Sequence, residues 1–325
     1  MFPSYRWQSF DRPIRLGVSQ CLLGDLVRYD GGHARSRFVS DELAPWVEFV
    51  PVCPEVGIGM GTPRPAIRIV ETDSDLQLVA PSTGENFASA MLSFSRSTIA
   101  KLQTEQLDGF VLKKSSPTCG TDRLKVYRED VAVRKDGVGF FAAELMRLWP
   151  NLPIEDEGRL NDGSLRENFI GRIFARSRWH GLIDSGLNRG SLVEFHTAHK
   201  LLLLSHSEPG YRRLGRIVAS LGTDEDSTIF EEYESVFNET LQTKPTPKAH
   251  VNVMQHALGH LKSLLSSEEK QEILRSIEDF KKGHLPLLVP INLIAFCVRV
   301  HQVEYLMGQI YFAPHPKELM LRNHA

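Results

Sequence analysis

The sequence predicts an α/β domain on an open, mostly parallel sheet, followed by an all-α domain. Three observations lead there. Short β-rich runs alternate with helical stretches through the first half, the alternation that builds βαβ units. From Ser191 until the last residues no segment reads as a strand, and each carries helical spacing. Arg189-Gly190 punctuates the change, with the glycine as the breaker. The first domain is therefore expected to be Rossmann-like over residues 1–188 and the second helical over 189–325. A chain of 325 residues has the length for two such domains.

Element by element, Ile14–Ser19 and Val47–Val52 are the first β-rich runs, and Leu76–Val79 and Gly109–Leu112 follow in the same manner. Residues 85–106 have helical period and good helix formers. A second helix fits 137–148, stopped by Trp149-Pro150. Residues 164–183 are helical. In the second domain 192–205, 210–221, 227–241, 250–265, 267–282 and 290–308 each read as a helix.

Composition narrows the function. With 42% hydrophobic and 24% charged residues the chain has material for a real core, which argues against disorder. No stretch approaches the roughly 18 apolar residues of a membrane span. Met1-Phe2-Pro3-Ser4-Tyr5-Arg6-Trp7 lacks the basic-then-apolar layout of a secretory signal, so a cytoplasmic location is expected. A formal net charge of −2 does not announce a nucleic-acid binder. One stretch, 113–135, is locally basic, with Lys113, Lys114, Arg123, Lys125, Arg128, Arg134 and Lys135.

The four cysteines are too few for a disulfide scaffold. Cys21 follows the strand Ile14–Ser19, Cys53 follows Val47–Val52, and Cys119 sits in a loop beyond Gly109–Leu112. In an open parallel sheet the loops beyond the carboxyl ends of the strands converge on one edge, so three thiols distant in sequence are expected to meet. Cys297, inside Leu293-Ile294-Ala295-Phe296-Cys297-Val298, looks like a core residue. Structural zinc wants four ligands and usually a C-x-x-C pair, which is absent. A [4Fe–4S] cluster normally takes four cysteines, and with three one iron keeps an open position. A catalytic zinc with three cysteine ligands is the poorer alternative.

These residues carry a resemblance. Cys21-Leu22-Leu23-Gly24 with Val27-Arg28-Tyr29-Asp30-Gly31, Val52-Cys53-Pro54-Glu55-Val56 with Thr62-Pro63-Arg64-Pro65, and Lys113 with Ser116-Pro117-Thr118-Cys119-Gly120 together resemble the DUF523 family, which includes the thiouracil desulfidases, over about residues 14–174. Phe195-His196-Thr197-Ala198-His199-Lys200, Tyr211-Arg212-Arg213-Leu214-Gly215 and the ending Tyr311-Phe312-Ala313-Pro314-His315-Pro316 resemble the DUF1722, YbgA-like domain, over about 191–323. The fused pair is similar to the RudS-type desulfidases. That resemblance implies removal of sulfur from 4-thiouridine in tRNA, without net electron transfer. It also implies a [4Fe–4S] cluster on Cys21, Cys53 and Cys119, its open iron receiving the thiocarbonyl sulfur.

Local chemistry adds candidates. Glu55, two residues after Cys53, is the first choice for deprotonating water. Ser116 is placed to hydrogen-bond the base or the water, and Lys113 to stabilise negative charge or meet a phosphate. Arg28 and Asp30, near Cys21, are weaker candidates for substrate binding. In the second domain Lys200, Arg212 and Arg213, with Arg216, Lys281 and Lys282, are candidate phosphate contacts for tRNA. His196 with His199 and His256 with His260 have the helical spacing of metal pairs but no accompanying glutamate, so ordinary histidines are expected there. Two other readings stand beside the tRNA enzyme. One is the same chemistry on a small thiolated base or nucleotide. The other is a non-catalytic iron–sulfur sensor or scaffold.

Overall fold

The computed structural model describes Trp7 and residues 12–323, apart from 74, 129, 223 and 224. The chain divides into two compact units, and Pro13–Asn161 is the α/β one. Its main sheet is wholly parallel, in the order β2-β1-β5-β8, from β1 (Ile14–Ser19), β2 (Val47–Val52), β5 (Gly109–Leu112) and β8 (Ile154–Asp156). The central strands are covered on both faces, which is why they read as mostly apolar runs, with Arg15 the half-buried exception in β1, rather than as alternating ones. Gly17 has no substitute in β1, since a Cβ there would stand 2.2 Å from the Phe110 ring of the neighbouring strand.

A second, mixed sheet runs β4-β3-β6-β7, from β3 (Arg68–Glu71), β4 (Leu76–Val79), β6 (Leu124–Arg128) and β7 (Val131–Gly137). Here the sequence reading is corrected. Leu76–Val79 is a strand, but it pairs antiparallel with β3 rather than joining the parallel sheet. The connection between them is short and closed by Thr72 N–H donating to Asp75 O (2.9 Å), and a connection of that length joins only antiparallel neighbours. The helices α1 (Pro54–Gly57), α2 (Ala88–Thr104) and α3 (Phe140–Leu148) complete the unit. Ile99 and Leu102 of α2 and Phe141 and Leu145 of α3 pack on Val52, Phe110 and Leu112.

The second unit is helical and takes in the chain from Asp162 onward together with the described residues ahead of Pro13, Trp7 and Arg12. Its helices are α4 (Gly163–Asp184), α5 (Arg189–His206), α6 (Glu208–Ala219), α7 (Asp226–Gln242), α8 (Pro247–Leu261), α9 (Ser267–Lys281), α10 (Leu288–Val300) and α11 (Glu304–Met307). Asp162 caps α4 by accepting from Ser164 N–H and Leu165 N–H. Ala175, Trp179 and Leu182 of α4 share a core with Phe195, Tyr233 and Phe237. The compact units divide between 161 and 162, and the change of texture in the sequence lies near 188. Arg189-Gly190 opens α5 behind an Asn188 capping box, so it punctuates a helix-to-helix turn inside one unit. The helix expected over 290–308 ends at Val300, where Gln302 takes a φ of 52°. Among the described residues no helix is long and apolar enough to cross a membrane.

Candidate active site

Strands β2, β1 and β5 are neighbours, so their carboxyl ends share one edge of the sheet. Cys21 lies in a 3-10 turn, Gln20–Leu23, directly after β1. Its carbonyl accepts from Ala34 N–H at 2.9 Å, which folds the following loop back on the turn. Cys53 is the residue between β2 and α1. Cys119 sits in the loop after β5, and this loop is held by the start of α3. Gly139 N–H donates to Gly120 O (2.8 Å), Phe140 N–H to Pro117 O (3.1 Å) and Ala142 N–H to Thr118 O (3.0 Å). All three cysteines line one cavity of about 430 Å³, together with Arg28, Glu55, Lys113 and Ser116. The ends of three neighbouring parallel strands thus bring the three cysteines to one cavity.

Burial pushes the Cys21 and Cys53 thiols up to about 11, and the negative charge of Glu55 adds to the effect in both. Full burial, again with Glu55, drives Cys119 higher still. Thiols in such surroundings are poor nucleophiles at neutral pH, because the thiolate is the reactive form. Three soft sulfurs around one cavity are instead a donor set for thiophilic metals, whose positive charge would draw off the protons. Cys297 is 6% exposed in the core of the helical unit, as expected of a packing residue.

Glu55 is held from three directions. Its Oε1 accepts from Thr118 Oγ1 at 2.6 Å, Cys53 Sγ lies 3.5 Å from Oε2, and Arg64 Nη2 stands 3.8 Å from Oε2. Ser116 Oγ accepts from the backbone N–H groups of Thr118 (3.3 Å) and Cys119 (3.2 Å), so its loop closes on itself. Lys113 is in the cavity wall, but its ammonium is committed to Glu157, which also accepts from Lys114 N–H at 2.6 Å. Arg28 lines the cavity and pairs with Asp30 at 3.2 Å, whereas Asp30 is exposed and turned to Gly32 N–H.

Lys200, Arg212 and Arg213 stand on α5 and α6 of the helical unit. Arg212 pairs with Glu208 (2.7 Å), and Arg213 with Glu239 (3.4 Å) and Glu232 (3.7 Å). Part of the basic stretch 113–135 is paired with carboxylates in the fold. Arg128 and Arg134 both reach Glu71, and Arg134 also reaches Asp136. His196 and His199 are core residues, bonded through Nδ1 to Tyr233 Oη (3.1 Å) and Phe195 O (2.7 Å). His256 and His260 are exposed on α8.

Two further residues complete the site: Arg64, from Thr62-Pro63-Arg64-Pro65, and Thr118, from Pro117-Thr118-Cys119, neither of which the sequence marks as a candidate in its own right. A polar residue directly beside a candidate ligand was the available signal for Thr118.

Comparison with known proteins follows the two units. A family model described as 2-thiouracil desulfurase matches residues 16–157, and one described as a protein of unknown function, DUF1722, matches 200–316. The uncharacterized protein YbgA of Escherichia coli strain K12 is 33% identical over 153 residues, which is 47% of this chain and 90% of YbgA. YbbK of Bacillus subtilis strain 168 is 31% identical over 151 residues, 45% of this chain and 97% of YbbK. Among solved structures, the [4Fe-4S]-dependent thiouracil desulfidase TudS is 28% identical, with a TM-score of 0.38 over 46% of this chain and 93% of its own.

Proposed function

The chain belongs to the 2-thiouracil desulfurase family, with a DUF1722 region behind that domain, and from this premise we propose that it is a [4Fe-4S]-dependent, non-redox desulfidase that removes sulfur from 4-thiouridine in tRNA. The products are uridine and sulfide. One observation carries the reading: Cys21, Cys53 and Cys119 surround a cavity that also holds a carboxylate, Glu55, and a hydroxyl, Ser116.

The donor set fits the group. Three sulfurs are available and the fourth cysteine is packed in another unit, so three ligands leave one iron of four open. Among the described residues no three His, Cys, Asp or Glu side chains are arranged to hold a single ion. When bound, the cluster supplies a Lewis-acidic iron that suits a soft thiocarbonyl sulfur. Glu55 takes the proton of the water that replaces sulfur at carbon. Ser116 orients the base or the water, and Lys113, steadied by Glu157, offers its charge to the substrate phosphate. Water supplies the oxygen, sulfur leaves as sulfide, and no electrons are exchanged. Lys200, Arg212 and Arg213 hold tRNA phosphates, the two arginines exchanging their glutamate partners for them.

A second reading has one observation in its favour. Arg128, Arg134, Arg212 and Arg213 are all paired with carboxylates, and a small thiolated base or nucleotide would need none of these pairs opened. Anaerobic reconstitution decides the matter. The chain is incubated with tRNA, and separately with 2-thiouracil and 4-thiouridine monophosphate, and nucleosides and sulfide are measured. Loss of 4-thiouridine from tRNA supports the proposal. Sulfide from the small substrates alone moves the function to the second reading. Iron loading without sulfide from any substrate leaves a non-catalytic sensor.

A further inference from the structure

We propose that Thr118 is a positioning residue that couples Glu55 to Ser116, making the carboxylate and the hydroxyl one hydrogen-bonded unit. The inference rests on the function proposed above and adds a residue to it. Thr118 is 0% exposed and touches both partners, with Oγ1 at 2.6 Å from Glu55 Oε1 and 2.9 Å from Ser116 Oγ.

The direction of the chain follows from counting protons. A hydroxyl has one proton to give, and an ionised carboxylate has none. Thr118 therefore spends its proton on Glu55. The competing acceptor, Cys119 Sγ, is 3.6 Å away, and a thiol is a weaker acceptor than a carboxylate. The bond between the two hydroxyls then has to use the proton of Ser116. Ser116 Oγ in turn accepts two backbone N–H groups, from Thr118 and Cys119. Hydrogen bonds thus run one way, from Ser116 to Thr118 to Glu55, and moving any member disturbs the other two.

The backbone holds Thr118 at this junction. Its carbonyl accepts from Ala142 N–H near the start of α3. A Cβ on Gly139 would stand 2.5 Å from the Thr118 carbonyl carbon and oxygen, so only glycine admits this approach. On the far side Arg64 faces Glu55 Oε2. Glu55 is thereby fixed at both oxygens, by a hydroxyl at one and a guanidinium at the other.

The test uses the full chain, reconstituted anaerobically, with Thr118→Val and Thr118→Ser. Valine keeps the shape and removes the hydroxyl, and serine keeps the hydroxyl. Iron content and cluster absorbance should match wild type in both. Turnover on 4-thiouridine monophosphate should fall about 10-fold or more in Thr118→Val, on the usual scale of acid–base effects, with KM little changed, and recover in Thr118→Ser. Glu55→Gln and Ser116→Ala should be non-additive in the wild-type background and additive beside Thr118→Val. A readout free of turnover accompanies these. In infrared difference spectra the carboxylate band identified by Glu55→Gln should move in Thr118→Val and in Ser116→Ala, but not in Thr118→Ser. An unmoved band, full turnover or lost iron in Thr118→Val, or additive single variants, overturns the coupling. A wild-type chain that loads iron and releases no sulfide strikes the proposed function instead, and the infrared band still judges the coupling.

Discussion

The guanidinium of Arg64 faces the carboxylate of Glu55 at 3.8 Å, with the two side chains only 5% and 12% exposed. Arg64 Nη1 also donates to the carbonyls of Val27 (2.8 Å) and Gly61 (3.0 Å). One planar fork thus ties the loop after β1 to the loop after β2 and supplies the positive charge that faces Glu55. Replacing Arg64 by Leu leaves a shielded carboxylate without its cation and two carbonyls without a donor. Stability in denaturant titration should fall by about 2–4 kcal/mol, and Arg64→Lys should fall between the two because a point charge does not replace the fork. An unchanged midpoint in Arg64→Leu contradicts this account.

Alanine at Cys21, Cys53 or Cys119 should each abolish iron–sulfur absorbance, while Cys297→Ala retains it and costs about 1 kcal/mol of stability. Because burial raises the Cys21 and Cys53 thiols to about 11, metal binding must expel their protons. Acid favours the protonated thiol, so iron should be lost more readily as pH falls. Iron retention that is flat with pH, or intact absorbance in Cys53→Ala, would count against these ligands.

Gly139→Ala is a substitution outside the cavity with an effect inside it. The new Cβ meets backbone at 2.5 Å, so either α3 or the Pro117–Gly120 loop must move. A cost of about 1–3 kcal/mol is expected. Iron content should drop with it, since Cys119 rides on the same loop. Normal iron content in a folded Gly139→Ala protein would show the loop to be more forgiving than its contacts imply.

The helical unit should be labile to mild acid. Burial pushes His196 and His206 down to about 4 and His199, His250 and His315 down to about 3. Above about pH 6.5 these side chains are neutral in both states and contribute nothing. Below it the unfolded chain binds protons that the folded chain refuses, so stability falls as pH drops from about 6.5 toward the folded values. Each histidine contributes up to about 1.4 kcal/mol per pH unit in that window. Urea titrations followed through Trp179, 1% exposed in the same unit, should show the midpoint falling from pH 7 to pH 5. A constant midpoint refutes the assignment.

Where the chain is cut should matter. A fragment ending at Asn188 keeps α4 but strips Ala175, Trp179 and Leu182 of their partners Phe195, Tyr233 and Phe237. It should bind hydrophobic dyes and aggregate, while a fragment of residues 13–161 should not. Equal behaviour of the two would restore the division at 188.

What was legible in the sequence was what its local pattern encodes. β5 is buried throughout and appears as an unbroken apolar run, β1 as one interrupted only by the half-buried Arg15 before Ser19, and the helices of the second unit appear through their spacing. β7 was invisible because nearly all of Val131–Gly137 is exposed, so it has no inward face to alternate with an outward one. β8 is three residues long and owes its conformation to pairing with β5. The cysteines could be placed because each follows a strand directly. The bond from Thr118 to Glu55 spans 63 positions and joins a loop after β5 to the turn after β2, and no residue spacing signals a contact made by sheet order alone.

A chain leaving the ribosome presents Cys21 and Cys53 first, each just beyond one of two strands that pair with each other. β5, which carries the chain toward Cys119, emerges later and docks on the opposite flank of β1. Until it does, two sulfurs stand without their third, a pair able to capture a stray thiophilic ion. The docking of β5 is therefore the event that brings Cys119 to the cavity edge where Cys21 and Cys53 already stand. All residues around the cavity lie upstream of Asn161. Every residue that the cavity needs is accordingly made before the helices from α4 onward are translated.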